Sequence, residues 1–310
     1  MARGAMMAIL AALLGIMALV AVWPFLIEWR RRPMDTAAQR AAPGQFAQLS
    51  QGVTHYRWLG AARGPVAVCV HGLTTPSFVW EGLAQGLGKL GFRVLVYDLY
   101  GRGYSDAVPG AQDSAFFLRQ LDDLLAHEKL DGDLTLISYS MGGAIATAWA
   151  ADNTRRMRDL ILIAPAGLTG INLSAQRRAM MRPGIGDWMM LAFYPRMHRK
   201  GTEAERHLPT SVPGVVDLQQ AELSRRGFVP AVLASIRGIL SESRADAHRA
   251  VAQASVPVLG VFGADDRIIP GVARNQLEEW NPDARTVIVA GAGHGLTYTH
   301  TDAILTAIRD

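Results

Sequence analysis

A series of short apolar runs, each broken by a turn and followed by helical spacing, limits what this chain can fold into. "PVAVCV" (Pro65 to Val70), "FRVLVYD" (Phe92 to Asp98) and "LTLIS" (from Leu134) are nearly continuous apolar segments. "DLILIA" (Asp159 to Ala164), "VPVLGVF" (Val256 to Phe262) and "RTVIVA" (Arg285 to Ala290) repeat the pattern. Runs without polar alternation suit strands buried on both faces. Helical stretches between them, such as Asp113 to Lys129, imply crossover connections and a parallel, doubly wound sheet. "VTHYRWL" (Val53 to Leu59) alternates and reads as one further strand. The rhythm breaks between about Gly167 and Ala250. There methionines (Met180, Met181, Met189, Met190, Met197) and arginines accompany apolar residues at helical spacing. This region is expected to be a helical cap inserted over the C-terminal edge of the sheet.

The N-terminus carries a different signal. From Ala5 to Ile27 no residue is charged, and as a helix this segment would span roughly 34 Å, enough for a hydrocarbon core. Trp23, Phe25 and Trp29 cluster at one end, as interfacial aromatics do. A cleaved signal peptide is the competing reading, but the run exceeds a usual h-region and no small-residue cleavage site follows closely. Arg30, Arg31 and Arg32 come next. By the positive-inside rule they put the main domain on the cytoplasmic face of a single-pass anchor. The expected organisation is an anchor over 1–32, a tether over 33–50 and a catalytic domain over 51–310, with the cap at about 167–250.

Composition narrows the function. The net charge of +4 comes from mixed signs, and no basic stripe interleaves with aromatics, so a nucleic-acid partner has no support. Cys69 is the only cysteine, which excludes an intramolecular disulfide and a cysteine-based metal site.

The chemistry concentrates after the strands, where open α/β sheets bind ligands. "SYSMGG" (from Ser138) follows a strand and opens a helix. A nucleophile in such a turn needs small residues two before and two after it. Ser140 has Ser138 and Gly142 there, whereas Ser138 would have Leu136. Ser140 is therefore the candidate, and capping of the following helix is its competing role. His294 lies among glycines in "GAGHG" after the last strand, and a serine hydroxyl needs such a base. "GADDRIIP" supplies the carboxylate to orient that base; Asp266 is favoured, with turn chemistry left to Asp265. His55 and His300 look peripheral, and His127, His198, His207 and His248 fall in polar helical contexts.

"VHGL" (Val70 to Leu73), "DLYGRGYSD" (Asp98 to Asp106), "SYSMGG", "GADDRIIP" and "GAGH", in this order, resemble the α/β-hydrolase family over roughly Val53 to Asp310. The Ser, Asp, His order is the one this family uses. The resemblance implies that the backbone N–H groups of Leu73 and Met141 form the oxyanion hole and that His71 is structural. It also implies acyl transfer without metal or organic cofactor. Ser138 departs from the glycine usual at its position. A serine at the elbow argues against the branches that use a carboxylate nucleophile. With its anchor and cap the chain looks like membrane-anchored monoacylglycerol lipases and esterases, acting on lipid-like esters. A carbon–carbon bond hydrolase of the meta-cleavage type, an acyltransferase and a non-catalytic membrane scaffold are the alternatives.

Overall fold

A computed structural model describes residues 2–169 and 175–310. The chain starts with α1 (Ala2–Arg30) and α2 (Thr36–Arg40), then β1 (Gln45–Gln48), β2 (Val53–Gly60) and β3 (Val66–Val70). It continues through α3 (Glu81–Lys89), β4 (Arg93–Tyr97), α4 (Ser114–His127), β5 (Leu134–Tyr139), α5 (Met141–Asp152) and β6 (Met157–Ile163). Helices α6 (Ala175–Met181), α7 (Ile185–Glu203), α8 (Val215–Ala221), α9 (Phe228–Arg237) and α10 (Ala245–Gln253) follow. The chain closes with β7 (Val258–Gly263), α11 (Val272–Trp280), β8 (Arg285–Val289), α12 (Leu296–Thr299) and α13 (Thr301–Arg309).

The strands form one 8-stranded sheet in the order β1-β2-β4-β3-β5-β6-β7-β8. β2 pairs antiparallel with β1 and β4, and the pairs from β4/β3 to β7/β8 are parallel. β3, β4, β5 and β7 are buried almost throughout, which accounts for their unbroken apolar runs. The order reverses at β3: the chain moves to β4 on one side and returns to β5 on the other. Right-handed crossovers in opposite directions send α3 and α4 to opposite faces and open a crevice beyond the C-terminal ends of β3 and β5.

One expectation changes. The stretch 33–50, read as a tether, contains α2 and β1, so the sheet begins before Gly52. β1 is four residues long, "QFAQ", and pairs only with β2. A short polar edge strand has too few inward positions to leave a periodic signal. Between β6 and β7 the described residues are helical and contain no strand. α1 has a mean hydropathy of 2.7 with 0% of that window buried, so it is long and apolar enough to cross a membrane.

One histidine makes a stability prediction. His248 on α10 is 1% exposed, packs against Trp280, and neither ring nitrogen has a partner among the described residues. Burial, aided by nearby Arg244, lowers its pKa from 6.5 to about 4. Between those values the unfolded chain binds a proton that the folded chain refuses, so stability falls as the pH drops through this window. His248→Leu is expected to flatten the acid limb by up to about 3 kcal/mol. Urea unfolding of both proteins at pH 7 and pH 4.5 checks this; parallel losses would assign the acid lability elsewhere.

Candidate active site

β5 enters its turn fully buried, and at Ser140 the backbone swings to φ 53° and ψ −119° before α5 begins. A β-carbon rarely adopts this left-handed geometry, and the strain lifts the side chain out of the strand–helix line. Neighbouring glycines make the corner possible. A Cβ on Gly142 would collide with the carbonyl oxygens of Val70 and His71, and one on Gly143 with Pro165. Ser138 fits because it is fully buried and its hydroxyl donates to the Ile161 carbonyl at 3.2 Å, across to β6. A serine here replaces the expected glycine without crowding the turn.

Ser140 makes no side-chain capping bond to α5. Its Oγ lies 3.0 Å from His294 Nε2, and His294 Nδ1 lies 2.8 Å from Asp266 Oδ2. The three residues come from the ends of β5, β8 and β7, which only the folded sheet brings together. Asp266 Oδ1 also accepts from the Ile268 and Ile269 amides, at 2.8 and 2.9 Å. Burial works to raise the Asp266 pKa, but the His294 ring and these amides outweigh it and hold it below the ordinary carboxylate range. Asp265 is exposed. Tyr139 donates its hydroxyl to the His294 carbonyl at 3.0 Å, fixing the loop that carries the histidine.

Two amides lie beside the same corner. The N–H groups of Leu73 and Met141 donate to no acceptor among the described residues. Met141 is the first residue of α5, where amides have no intrahelical partner. The Leu73 loop runs close by, since a Cβ on Gly72 would sit 3.2 Å from the Ser140 Cβ. His71 holds this loop: Nδ1 donates to the Gly72 carbonyl at 2.7 Å and Nε2 accepts from the Leu99 amide at 2.9 Å. Burial lowers its pKa to about 4, so it stays neutral in that tautomer.

Arg102 is a buried residue beside the site that sequence reasoning missed. It is 1% exposed, and its Nε donates to the Leu73 carbonyl at 3.1 Å. The remaining guanidinium hydrogens reach the Tyr100 carbonyl, Gln112 Oε1, the Ala231 carbonyl and Ser235 Oγ. All five donors are used, tying the Leu73 loop to α9. The one signal was an arginine between two glycines, Gly101 and Gly103. His55 was read as peripheral; it is instead 1% exposed and lies 2.7 Å from Asp98 through Nδ1. Asp98 also accepts from the Ser77 and Tyr104 amides, so it shapes both loops beside the site.

Cavities open on either side of Ser140. One, of about 430 Å³, is lined by Leu73, Leu168, Leu240, Ile268, Ile269 and Trp280 among others. The other, of about 400 Å³, holds His294 with Thr75, Tyr194, Glu205, Gln219 and Tyr298. The first has the more aliphatic side chains, beside a polar rim of Thr169, Ser241, Glu242 and Ser243. The second is the richer in hydroxyl groups, and its Tyr298 hydroxyl donates to Glu205 at 2.6 Å.

The alpha/beta hydrolase fold family matches residues 65–301, more than half of the chain. The chain belongs to the α/β-hydrolase fold family. It is 30% identical over 239 residues to the pimeloyl-[acyl-carrier protein] methyl ester esterase of Nitrosomonas europaea, covering 74% of this chain and 89% of that one. The enzyme of the same name from Vibrio campbellii is 27% identical over 267 residues, covering 83% and 98%. Among solved structures, a thermophilic esterase from Thermogutta terrifontis superposes with a TM-score of 0.69 at 23% identity, covering 86% and 97%. These relatives carry esterase names, and this α/β hydrolase is a carboxylic ester hydrolase. They are not named as monoacylglycerol lipases, so the finer resemblance does not come from them.

Proposed function

We propose that the hydrolase cleaves esters of apolar acyl groups through an acyl-enzyme on Ser140. His294 takes the Ser140 proton as the hydroxyl oxygen attacks the ester carbonyl, and Asp266 stabilises the resulting imidazolium. The tetrahedral oxyanion rests on the Leu73 and Met141 amides, with Ser138 and Gly142 supporting the elbow. His294 then protonates the leaving alcohol, and a water activated in the same way releases the acid. None of these steps calls on a metal or an organic cofactor.

The observation that carries this reading is the continuous Ser140–His294–Asp266 hydrogen-bond chain beside two amides with no acceptor among the described residues. The general acid must reach the leaving oxygen, so the cavity that contains His294 takes the alcohol. The cavity on the other side, whose aliphatic wall is Leu168, Leu240, Ile268 and Ile269, then takes the acyl chain. Hydroxyl-rich walls suit a glycerol-like alcohol better than methanol, which favours a monoacylglycerol-type ester over a methyl ester. α1, followed by Arg30 to Arg32, supports a retained single-pass anchor that keeps the cap at 167–250 and the rest of the catalytic domain on the cytoplasmic side.

A matched ester series tests this. Each methylene buried in the acyl cavity contributes about 0.8 kcal/mol. The specificity constant kcat/KM is therefore expected to rise up to about fourfold per carbon, from acetyl towards medium-chain acyl groups, until the cavity is full. At fixed acyl length the glyceryl ester is expected to outrun the methyl ester. No dependence on acyl length would sink the acyl-chain assignment. A faster methyl ester would favour the reaction named for the two relatives.

A further inference from the structure

Pro24 sits inside α1 and has no N–H to offer the carbonyl of Val20, one turn earlier. In a helix surrounded by lipid, that oxygen would be left unpaired at a cost of several kcal/mol. It is not left unpaired: the Trp188 indole Nε1, from α7, donates to the Val20 carbonyl at 3.1 Å. Pro24 is itself buried, and α1 packs along α7. The contact lies well inside the apolar part of α1, since Val20 stands about 10 Å along the helix from Ile27.

The rest of α7 matches such a location. Ile185, Met189, Phe193 and Met197 recur every four residues and form one stripe along the helix. Ile185, Phe193 and Met197 are 57%, 55% and 58% exposed and Met189 is half-buried, so the stripe presents an apolar surface among the described residues. Arg196, Arg199 and Lys200 are exposed at the C-terminal end of the same helix, where they can meet lipid phosphates. Below Trp188 the anchor is fastened to the hydrolase. Glu28 accepts from the Gly227 amide, and the Arg32 and Arg225 segments pair through their backbones. The orientation of α7 relative to α1 is therefore fixed at more than one point.

We propose that α7 is an interfacial helix. Its Ile185–Met189–Phe193–Met197 stripe lies in the same leaflet that α1 enters, and the occupant of this face is the lipid bilayer. The opposite side of α7 contributes Tyr194, His198 and Thr202 to the cavity that holds His294. One helix thus touches lipid on one side and the alcohol-side cavity on the other, so an ester can pass from leaflet to Ser140 without crossing bulk water. This inference rests on the anchor reading of α1, and the test separates the two.

The full-length protein is reconstituted in phosphatidylcholine–phosphatidylglycerol vesicles. Single cysteines at Phe193→Cys, Met197→Cys, Leu13→Cys and Asp246→Cys are labelled with an environment-sensitive fluorophore. Native Cys69 is fully buried and does not compete for label. The labels at positions 13, 193 and 197 are expected to emit at shorter wavelength and to be quenched by chain-labelled spin lipids. The label at position 246, on an exposed side chain of α10, is expected to behave as in water. Lipid-like signals at 13 with water-like signals at 193 and 197 would overturn the interfacial role of α7 alone. A water-like signal at 13 would overturn the anchor, and this proposal with it.

Discussion

Replacing Ser140 with alanine is expected to lower kcat for ester hydrolysis by about 10⁴–10⁶-fold. The figure is large because the hydroxyl is the point where the other devices converge. The strained backbone at φ 53° presents it, His294 Nε2 faces it at 3.0 Å, and the proposed oxyanion amides of Leu73 and Met141 lie beside it. Without the nucleophile only binding and oxyanion stabilisation remain to assist attack by water. The change should leave the fold alone, since Ser140 makes no capping bond to α5. Ser138 gives the internal comparison. Its hydroxyl is fully buried and committed to the Ile161 carbonyl, so Ser138→Ala costs about 1 kcal/mol of stability and keeps the active serine. A fluorophosphonate should label wild type and Ser138→Ala on the peptide containing residue 140, and should not label Ser140→Ala. Labelling that persists in Ser140→Ala would overturn the assignment.

The reasons this serine could be picked from the sequence also explain what could not be picked. The elbow is a local device: its steric demand falls on positions two residues away, and Gly142 shows it directly, because any side chain there meets the backbone of β3. β3, β4, β5 and β7 were equally legible, since burial on both faces makes each a continuous apolar word. β1 was not, because an edge strand of four residues, two of them glutamines, carries no such word. His55 and Asp98 are 43 positions apart in the chain, and nothing local says that they meet. Arg102 is harder still. An arginine in a glycine-rich loop ordinarily reads as solvated, and its five partners come from β3–β4 loops, the segment before α4, and α9. Pairings set by the tertiary fold leave no periodicity. The same holds for Trp188, whose partner is a carbonyl freed by a proline far away in sequence.

Asp266→Asn is expected to lower kcat by about 10³–10⁴-fold while leaving thermal stability nearly unchanged. Oδ1 would go on accepting from the Ile268 and Ile269 amides, so the loop after β7 keeps its shape. The other position would change from an acceptor to an NH₂ group facing His294 Nδ1 across 2.8 Å. Two donors cannot share that contact, so the imidazole must move its proton to Nε2, and Nε2 then cannot accept from Ser140. The carboxylate that would have stabilised the imidazolium is lost in the same step. Asp265→Asn separates this from a general effect of charge. Asp265 is exposed and contributes to the turn through its backbone amide, which donates to the Ala292 carbonyl. Its activity is expected to stay within about twofold of wild type, as for surface substitutions away from such features. Steady-state rates and melting curves of both variants decide the matter. A loss below tenfold in Asp266→Asn would mean that His294 is oriented chiefly by its own loop, through Tyr139 and the backbone, and that the carboxylate is dispensable.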